Sequence, residues 1–192
     1  MKIITYYTED PIYSEHIKNF HNSLLKINNT IPVYIESIKP FSSWSKATNF
    51  KPKFIRRCLQ EFKEPVLWID ADAIVHGGLD YFLSLDCDMA CHFRHKKELL
   101  TGTIYFQPTK KAFELIDKWI ELVEQNSKKW EQRNLQTAIC FVKDVRIEKL
   151  VGGYTFIYDI MRKTGEYKGD IFVEHFQASR VSNPDNKRRI RK

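Results

Sequence analysis

The chain has 192 residues, 43% hydrophobic and 14% aromatic, which excludes a disordered polypeptide and suffices for one domain with a substantial core. Its formal charge of +7 is concentrated at one end, with Lys187, Arg188, Arg189, Arg191 and Lys192 in the last six positions. The other 26 basic residues face 24 acidic ones, so a near-neutral domain of residues 1–182 carries a basic tail, 183–192. Residues 2–7 read as a first strand, rich in β-branched and aromatic side chains. Asp10 and Pro11 supply a helix N-cap and a first-turn proline. Tyr13, Ile17, Phe20 and Leu24 then recur at helical spacing through about residue 25. Asn28-Asn29-Thr30 turns into a second strand at 33–35, and strand, helix, strand is the opening of an α/β fold.

Residues 39–49 read as a loop, with Pro40 and three serines around Trp44. Pro52 suits the first turn of a second helix, whose apolar positions include Phe54, Ile55, Cys58, Leu59 and Phe62. A strand follows at 66–69, with candidate strands at 88–93 and 102–106. Pro108-Thr109 opens an amphipathic helix that sets Ala112, Leu115, Ile116, Trp119, Leu122 and Val123 on one side. A helix at 130–141, a short strand at 145–150, a break at Gly152-Gly153 and a last strand at 171–176 complete the pattern. No internal repeat or interdomain linker is visible.

Cys58, Cys87, Cys91 and Cys140 include no CxxC pair, which fits reduced thiols better than a disulfide framework or a zinc site. The N-terminal residues lack the long apolar region of a signal peptide, and no apolar run approaches the roughly 20 residues that span a bilayer. The expectation is a soluble, cytoplasmic protein. The basic tail can touch an anionic membrane surface. It is short and has no interleaved aromatic residues, so no stable nucleic-acid partner is expected.

Residues 65–75, Pro-Val-Leu-Trp-Ile-Asp-Ala-Asp-Ala-Ile-Val, organise the rest. Four consecutive apolar residues suit a strand buried on both faces of a parallel or mixed sheet. The strand delivers Asp70 and Asp72 at its end, both on one side if the backbone stays extended. Burying two carboxylates uncompensated is costly, and the usual remedies are a metal, a cationic partner or solvent. Hard oxygen ligands of this kind suit Mg²⁺ or Mn²⁺ with substrate phosphates at other positions. A pair of solvated acids opening a turn is the plain alternative. Lys51, Lys53 and Arg56 add positive charge to a helix start, against the helix dipole, and hint at an anionic partner such as a diphosphate.

With Asp70-Ala71-Asp72 after a buried strand, the chain resembles GT-A-fold glycosyltransferases of the small single-domain type, which use nucleotide-diphosphate sugars. The likeness extends over essentially the whole chain. It includes Lys-Pro-Lys-Phe-Ile at 51–55, Val-Leu-Trp-Ile-Asp-Ala-Asp-Ala at 66–73 and Thr-Gly-Thr-Ile-Tyr-Phe at 101–106. Glu131-Gln132 and His175-Phe176-Gln177-Ala178-Ser179-Arg180 follow in order. The resemblance implies a mixed, mostly parallel central sheet flanked by helices. It also implies a divalent metal held directly by Asp72, with Asp70 binding it through water or contacting the ribose and His175 as a third protein ligand.

In the same family reading, Ser179 and Arg180 donate to phosphate oxygens. Thr5, Tyr6 and Tyr7 sit under the nucleotide with Lys51 and Ala71, because open α/β sheets bind ligands beyond the carboxyl ends of their strands. Tyr6 or Tyr7 either stacks on the base or packs in the core. Thr101-Gly102 stands where relatives often carry Asn-Gly against the donor sugar, and Gly102 lets substrate approach the backbone. Glu131-Gln132 stands where relatives often carry Asp-Gln. Glu131 is the candidate to accept a hydroxyl proton from an acceptor; a first-turn glutamate favoured by the helix dipole is the ordinary alternative.

Three other readings place similar residues differently. A haloacid-dehalogenase-type phosphatase also has DxD after a strand, but carries Thr or Val where this chain has Ile74. A nucleotidyltransferase uses metal-bound diphosphates as well. A non-catalytic module could bind a sugar nucleotide. The reading adopted is metal-dependent transfer from a nucleotide-diphosphate sugar, UDP being favoured by resemblance, to the hydroxyl of a glycan or similar acceptor.

Overall fold

The computed structural model describes residues 1–126 and 129–178. In chain order it contains β1 (Lys2–Thr8), α1 (Pro11–Lys26), β2 (Val33–Ile38), α2 (Trp44–Phe62), β3 (Val66–Ile69), β4 (Ala73–Val75), β5 (Met89–Arg94) and β6 (Glu98–Phe106). Then come α3 (Lys110–Gln125), α4 (Glu131–Phe141), β7 (Ile147–Leu150), β8 (Phe156–Ile157), α5 (Tyr158–Thr164) and β9 (Val173–His175). Short 3-10 turns occupy Leu79–Ser84 and Gly152–Thr155.

Six strands form the central sheet in the order β2-β1-β3-β6-β5-β7. β1 runs parallel to β2 and β3, and β5 runs parallel to β7. β6 lies antiparallel to both neighbours and is the one reversed strand of this sheet. The mixed, mostly parallel sheet expected from the sequence is therefore present. A second small sheet, β4-β9-β8, stands beside it.

The continuous apolar run of β3 follows from its central place. Val66 and Trp68 point into a core shared with Phe54, Leu59 and Trp119, beneath α2, α3 and α4. Leu67 and Ile69 point to the other side, where Phe20 and Leu24 of α1 meet Phe82. Alternation between two cores leaves no solvent face, so all four positions are apolar.

Several local expectations are met. Asp10 caps α1, accepting a hydrogen bond from the Tyr13 N–H, with Pro11 at its first position. Thr109 caps α3 in the same way through the Ala112 N–H. Gly153 is a genuine close approach: a Cβ there would lie 2.0 Å from the Asp170 carbonyl oxygen. The four cysteines are free, Cys58, Cys87 and Cys91 buried and Cys140 exposed. Burial pushes the Cys58 thiol up to about 12. No helix among the described residues is long and apolar enough to cross a membrane.

The loop expected at 39–49 is a correction. α2 begins at Trp44, capped by the Ser43 hydroxyl, which accepts from the Lys46 N–H at 3.3 Å. Pro52 lies inside this helix rather than in its first turn. Proline there forfeits one backbone hydrogen bond, and burial of Phe54, Ile55, Cys58 and Leu59 outweighs the loss. The short elements β4, β8 and α5 were not anticipated, and β6 starts earlier than expected, at Glu98.

Candidate functional site

At the end of β3 the chain does not stay extended. The Ala73 N–H donates to the Asp70 carbonyl at 3.1 Å, closing a turn, while the Asp70 N–H donates to the Gly102 carbonyl at 2.9 Å. The turn brings the carboxylates together by a route other than strand alternation. β9 then pairs antiparallel with β4, setting His175 opposite Ala73. Asp70, Asp72 and His175 thereby offer ligand atoms within 4.8 Å of one another.

Asp72 is 8% exposed, and its Oδ2 accepts from the Ala178 N–H at 2.7 Å. Burial, reinforced by Asp70, raises the pKa of Asp72 against the opposing pull of His175, the Ala178 N–H and Lys51. His175 is 1% exposed. Burial lowers its pKa, while Asp70 and Asp72 act in the other direction. Its Nε2 lies 3.0 Å from the Thr103 hydroxyl, and its Nδ1 has no hydrogen-bond partner among the described residues. An Nε2–H donated to Thr103 leaves Nδ1 as the lone-pair nitrogen, the usual way a second contact orients a metal-binding histidine. Two carboxylates and a buried, unsatisfied imidazole nitrogen fit a divalent cation.

Gly102 serves this histidine. A Cβ at Gly102 would lie 2.8 Å from His175 Cε1 and 2.9 Å from Nδ1, so only glycine leaves room for the ring. The sequence reading had assigned that space to substrate. The two threonines that flank Gly102 lie where the β5–β6 register shifts, and they reach different partners. Thr103 meets His175, and the Thr101 hydroxyl donates to Glu131 Oε1 at 2.7 Å. Thr103 was missed in the sequence, because its partner His175 lies 72 positions further along the chain.

A buried cation lies on the other flank of Asp70. Lys51 Nζ is 2.9 Å from Asp70 Oδ1, 3.0 Å from Glu131 Oε1 and 3.2 Å from the Thr101 carbonyl. Burial alone would lower the Lys51 pKa, but the Asp70 and Glu131 carboxylates outweigh it and the net shift is upward. Trp68 Nε1–H also donates to Asp70 Oδ1, at 2.7 Å. Glu131 opens α4, where its carbonyl accepts from Trp119 Nε1–H at 2.8 Å. Lys53 and Arg56 do not join this group, which corrects the phosphate-facing cluster expected from the sequence. Lys53 pairs with Glu124 at 2.7 Å and Arg56 pairs with Asp117, both partners on α3.

These groups floor a cleft of about 760 Å³ above the ends of β1 and β3, within the usual range for small-molecule sites. Tyr7, Ala71, Asp70, Asp72, Thr101, Gly102, Gln132 and His175 all line it. Tyr6 reaches the lining but is 9% exposed, packed edge-on to Phe50 and Phe54, with its hydroxyl bonded to the Ala47 carbonyl. Burial raises the Tyr6 pKa. Thr5 is fully buried and lies outside the lining. Gln132 sits at the rim, its amide 3.4 Å from Glu98. Ser179, Arg180 and the tail 183–192 lie outside the described residues.

No protein-family model matches the chain, and no curated protein matches it by sequence. Solved structures do. The chain is similar to a glycosyltransferase involved in glycosylation of the major capsid of PBCV-1, with a TM-score of 0.72, 15% identity and 98% of both chains covered. It is similar to the glycosyltransferase GlyE of Streptococcus pneumoniae TIGR4, with a TM-score of 0.64 and 19% identity. That match covers 91% of this chain and 54% of GlyE, so the chain spans about half of that protein. The galactosyltransferase LgtC, in complex with donor and acceptor sugar analogs, matches at a TM-score of 0.61 and 12% identity, covering 95% and 94% of the two chains.

Two substitutions test the geometry. Lys51→Met leaves Glu131 buried without a counter-charge and should cost roughly 3–5 kcal/mol in urea unfolding; the double variant with Glu131→Gln should recover part of that loss. Gly102→Ala must displace the His175 ring and should weaken Mn²⁺ binding at least tenfold by calorimetry while the protein stays folded. Unchanged Mn²⁺ affinity in Gly102→Ala would show that His175 is not a ligand.

Proposed function

Starting from the GT-A fold shared with glycosyltransferases, we propose that this protein transfers a sugar from a nucleotide-diphosphate donor to a hydroxyl group. The reading takes a UDP-sugar as donor and a glycan as acceptor. The observation that carries it is the Asp70, Asp72 and His175 group in the cleft, with the buried Nδ1 of His175 left unsatisfied.

Mn²⁺ or Mg²⁺ would be held by Asp72 and His175, with Asp70 acting through water or on the ribose. One oxygen of Asp70 is already engaged by Trp68 and Lys51, which supports its less direct role. A cation bound there would supply Lewis-acid neutralisation of the departing nucleoside diphosphate. Tyr7 and Ala71 lie along the side of the cleft where a nucleotide over β1 would rest. The Lys51 ammonium adds fixed positive potential beneath the diphosphate and holds Asp70 in place.

Glu131 Oε1 accepts from both Lys51 and Thr101, which fixes the orientation of the carboxylate. A role as base toward the acceptor would fall to its other oxygen, Oε2. Gln132, which also lines the cleft, would meet the incoming acceptor. A nucleotidyltransferase would use the same cation and diphosphate, so the released product separates the two: nucleoside diphosphate for glycosyl transfer, pyrophosphate for nucleotidyl transfer.

Asp72→Asn tests the reading directly. Asparagine keeps an oxygen for the Ala178 N–H and removes a charge that burial disfavours, so the unfolding temperature without metal should be unchanged or higher. Mn²⁺-dependent release of nucleoside diphosphate from nucleotide sugars, offered a panel of glycan acceptors, should fall at least 100-fold. Full turnover in folded Asp72→Asn protein would contradict the proposal.

A further inference from the structure

The 3-10 turn Gly152–Thr155 ends on a threonine that nothing in the fold accounts for. Thr155 is 2% exposed, and its hydroxyl has no hydrogen-bond partner among the described residues. A buried hydroxyl without a partner lowers stability, and such groups are rare unless a ligand or water completes them. Valine would fill the same volume without that penalty. Thr155 also lines the cleft.

Topology places it relative to the rest of the site. β8 runs parallel to β9 with Ile157 opposite His175, so Ile157 and His175 face the same side. Thr155, two residues before Ile157, ends the 3-10 turn that leads directly into β8. All three line the cleft. The turn packs against β5, β6 and β9, and β6 lies on the side of β3 away from β1. A nucleotide over the end of β1, with its diphosphate at Asp72 and His175, leaves the transferred sugar as the group that lies toward β6. Depth separates sugar from acceptor. Thr155 is almost fully buried, whereas Trp130, also in the lining, is 41% exposed, so the second substrate is taken to enter on the Trp130 side.

Resting on the transferase reading above, we propose that the Thr155 hydroxyl is a recognition contact for the transferred sugar, hydrogen-bonding one of its hydroxyl groups. The fold carries an unsatisfied polar atom so that a carbohydrate hydroxyl can complete it. Thr155 is then a determinant of donor-sugar choice, because a site left with an unpaired buried group discriminates against donors lacking the matching hydroxyl.

Thermal shift and calorimetry on wild type, Thr155→Val and Thr155→Ser test this, with Mn²⁺ and matched pairs of probes: UDP against UDP-glucose, UDP-galactose and UDP-N-acetylglucosamine. Without ligand, Thr155→Val should melt at the wild-type temperature or above it. UDP affinity should be the same in all three proteins. The preferred UDP-sugar should bind Thr155→Val roughly 3- to 10-fold more weakly, the loss of one neutral hydrogen bond, with affinity restored in Thr155→Ser. Unchanged sugar-nucleotide affinity in Thr155→Val, or a ligand-free variant clearly less stable than wild type, would overturn the assignment while leaving the transferase reading in place. A wild-type protein that binds neither UDP nor any of the UDP-sugars would overturn both.

Discussion

A lysine ammonium buried among carboxylates holds the site together. Lys51, 5% exposed, comes from α2 and touches the turn after β3 through Asp70, β6 through the Thr101 carbonyl, and the start of α4 through Glu131. Taking that charge out of water is expensive, and only the pair of carboxylates makes it tolerable. Four elements from distant parts of the chain are fixed against one another by one nitrogen. The Trp119 indole secures the same helix start from beneath. Glutamate at position 131 suits this arrangement, because one oxygen meets both the Lys51 ammonium and the Thr101 hydroxyl.

On the opposite flank, charge is left unbalanced. Burial drives the Asp72 carboxyl up and the His175 imidazole down, so both are pushed toward their neutral forms. A cation bound there would reverse that preference for the acid and take the lone pair of the imidazole, which would couple its affinity to proton release. The small β4-β9-β8 sheet makes this possible by carrying His175 back to the turn that holds Asp72. Further contacts from β9 and the residues after it, the Phe176 N–H to the Asp72 carbonyl and the Ala178 N–H to its carboxylate, lock the two together. Rigid placement of this kind is what electrostatic stabilisation of a leaving group requires.

Much of this was legible in the sequence where one residue pattern has one cheap structural solution. The four apolar residues of β3 suited a strand with two buried faces, the cap at Asp10 announced α1, and the apolar spacing after Pro108-Thr109 announced α3. Long-range electrostatics were not legible. Lys51, Lys53 and Arg56 look equivalent as a local charge cluster, yet Lys51 turns inward to Asp70 and Glu131, while the other two pair with α3 on the outer face. Pro52 misled for a related reason, since tertiary burial of α2 overrides the local cost of an interior proline. Gly102 was recognised as a close approach, but the ring that approaches it lies 73 positions further along the chain. β4 and β8 are three and two residues long, too short to show periodicity, and they exist because β9 pairs with both.

The central claim is that Asp70, Asp72 and His175 form a divalent-cation site at which a nucleotide diphosphate binds. Crystals grown with Mn²⁺ and UDP, measured at the manganese edge, test it most directly. The account predicts an anomalous peak bonded to Asp72 and to His175 Nδ1, with the diphosphate on its open side. UDP bound in the cleft with no peak at that position, or manganese held by other residues while His175 Nδ1 stays unpartnered, would contradict it.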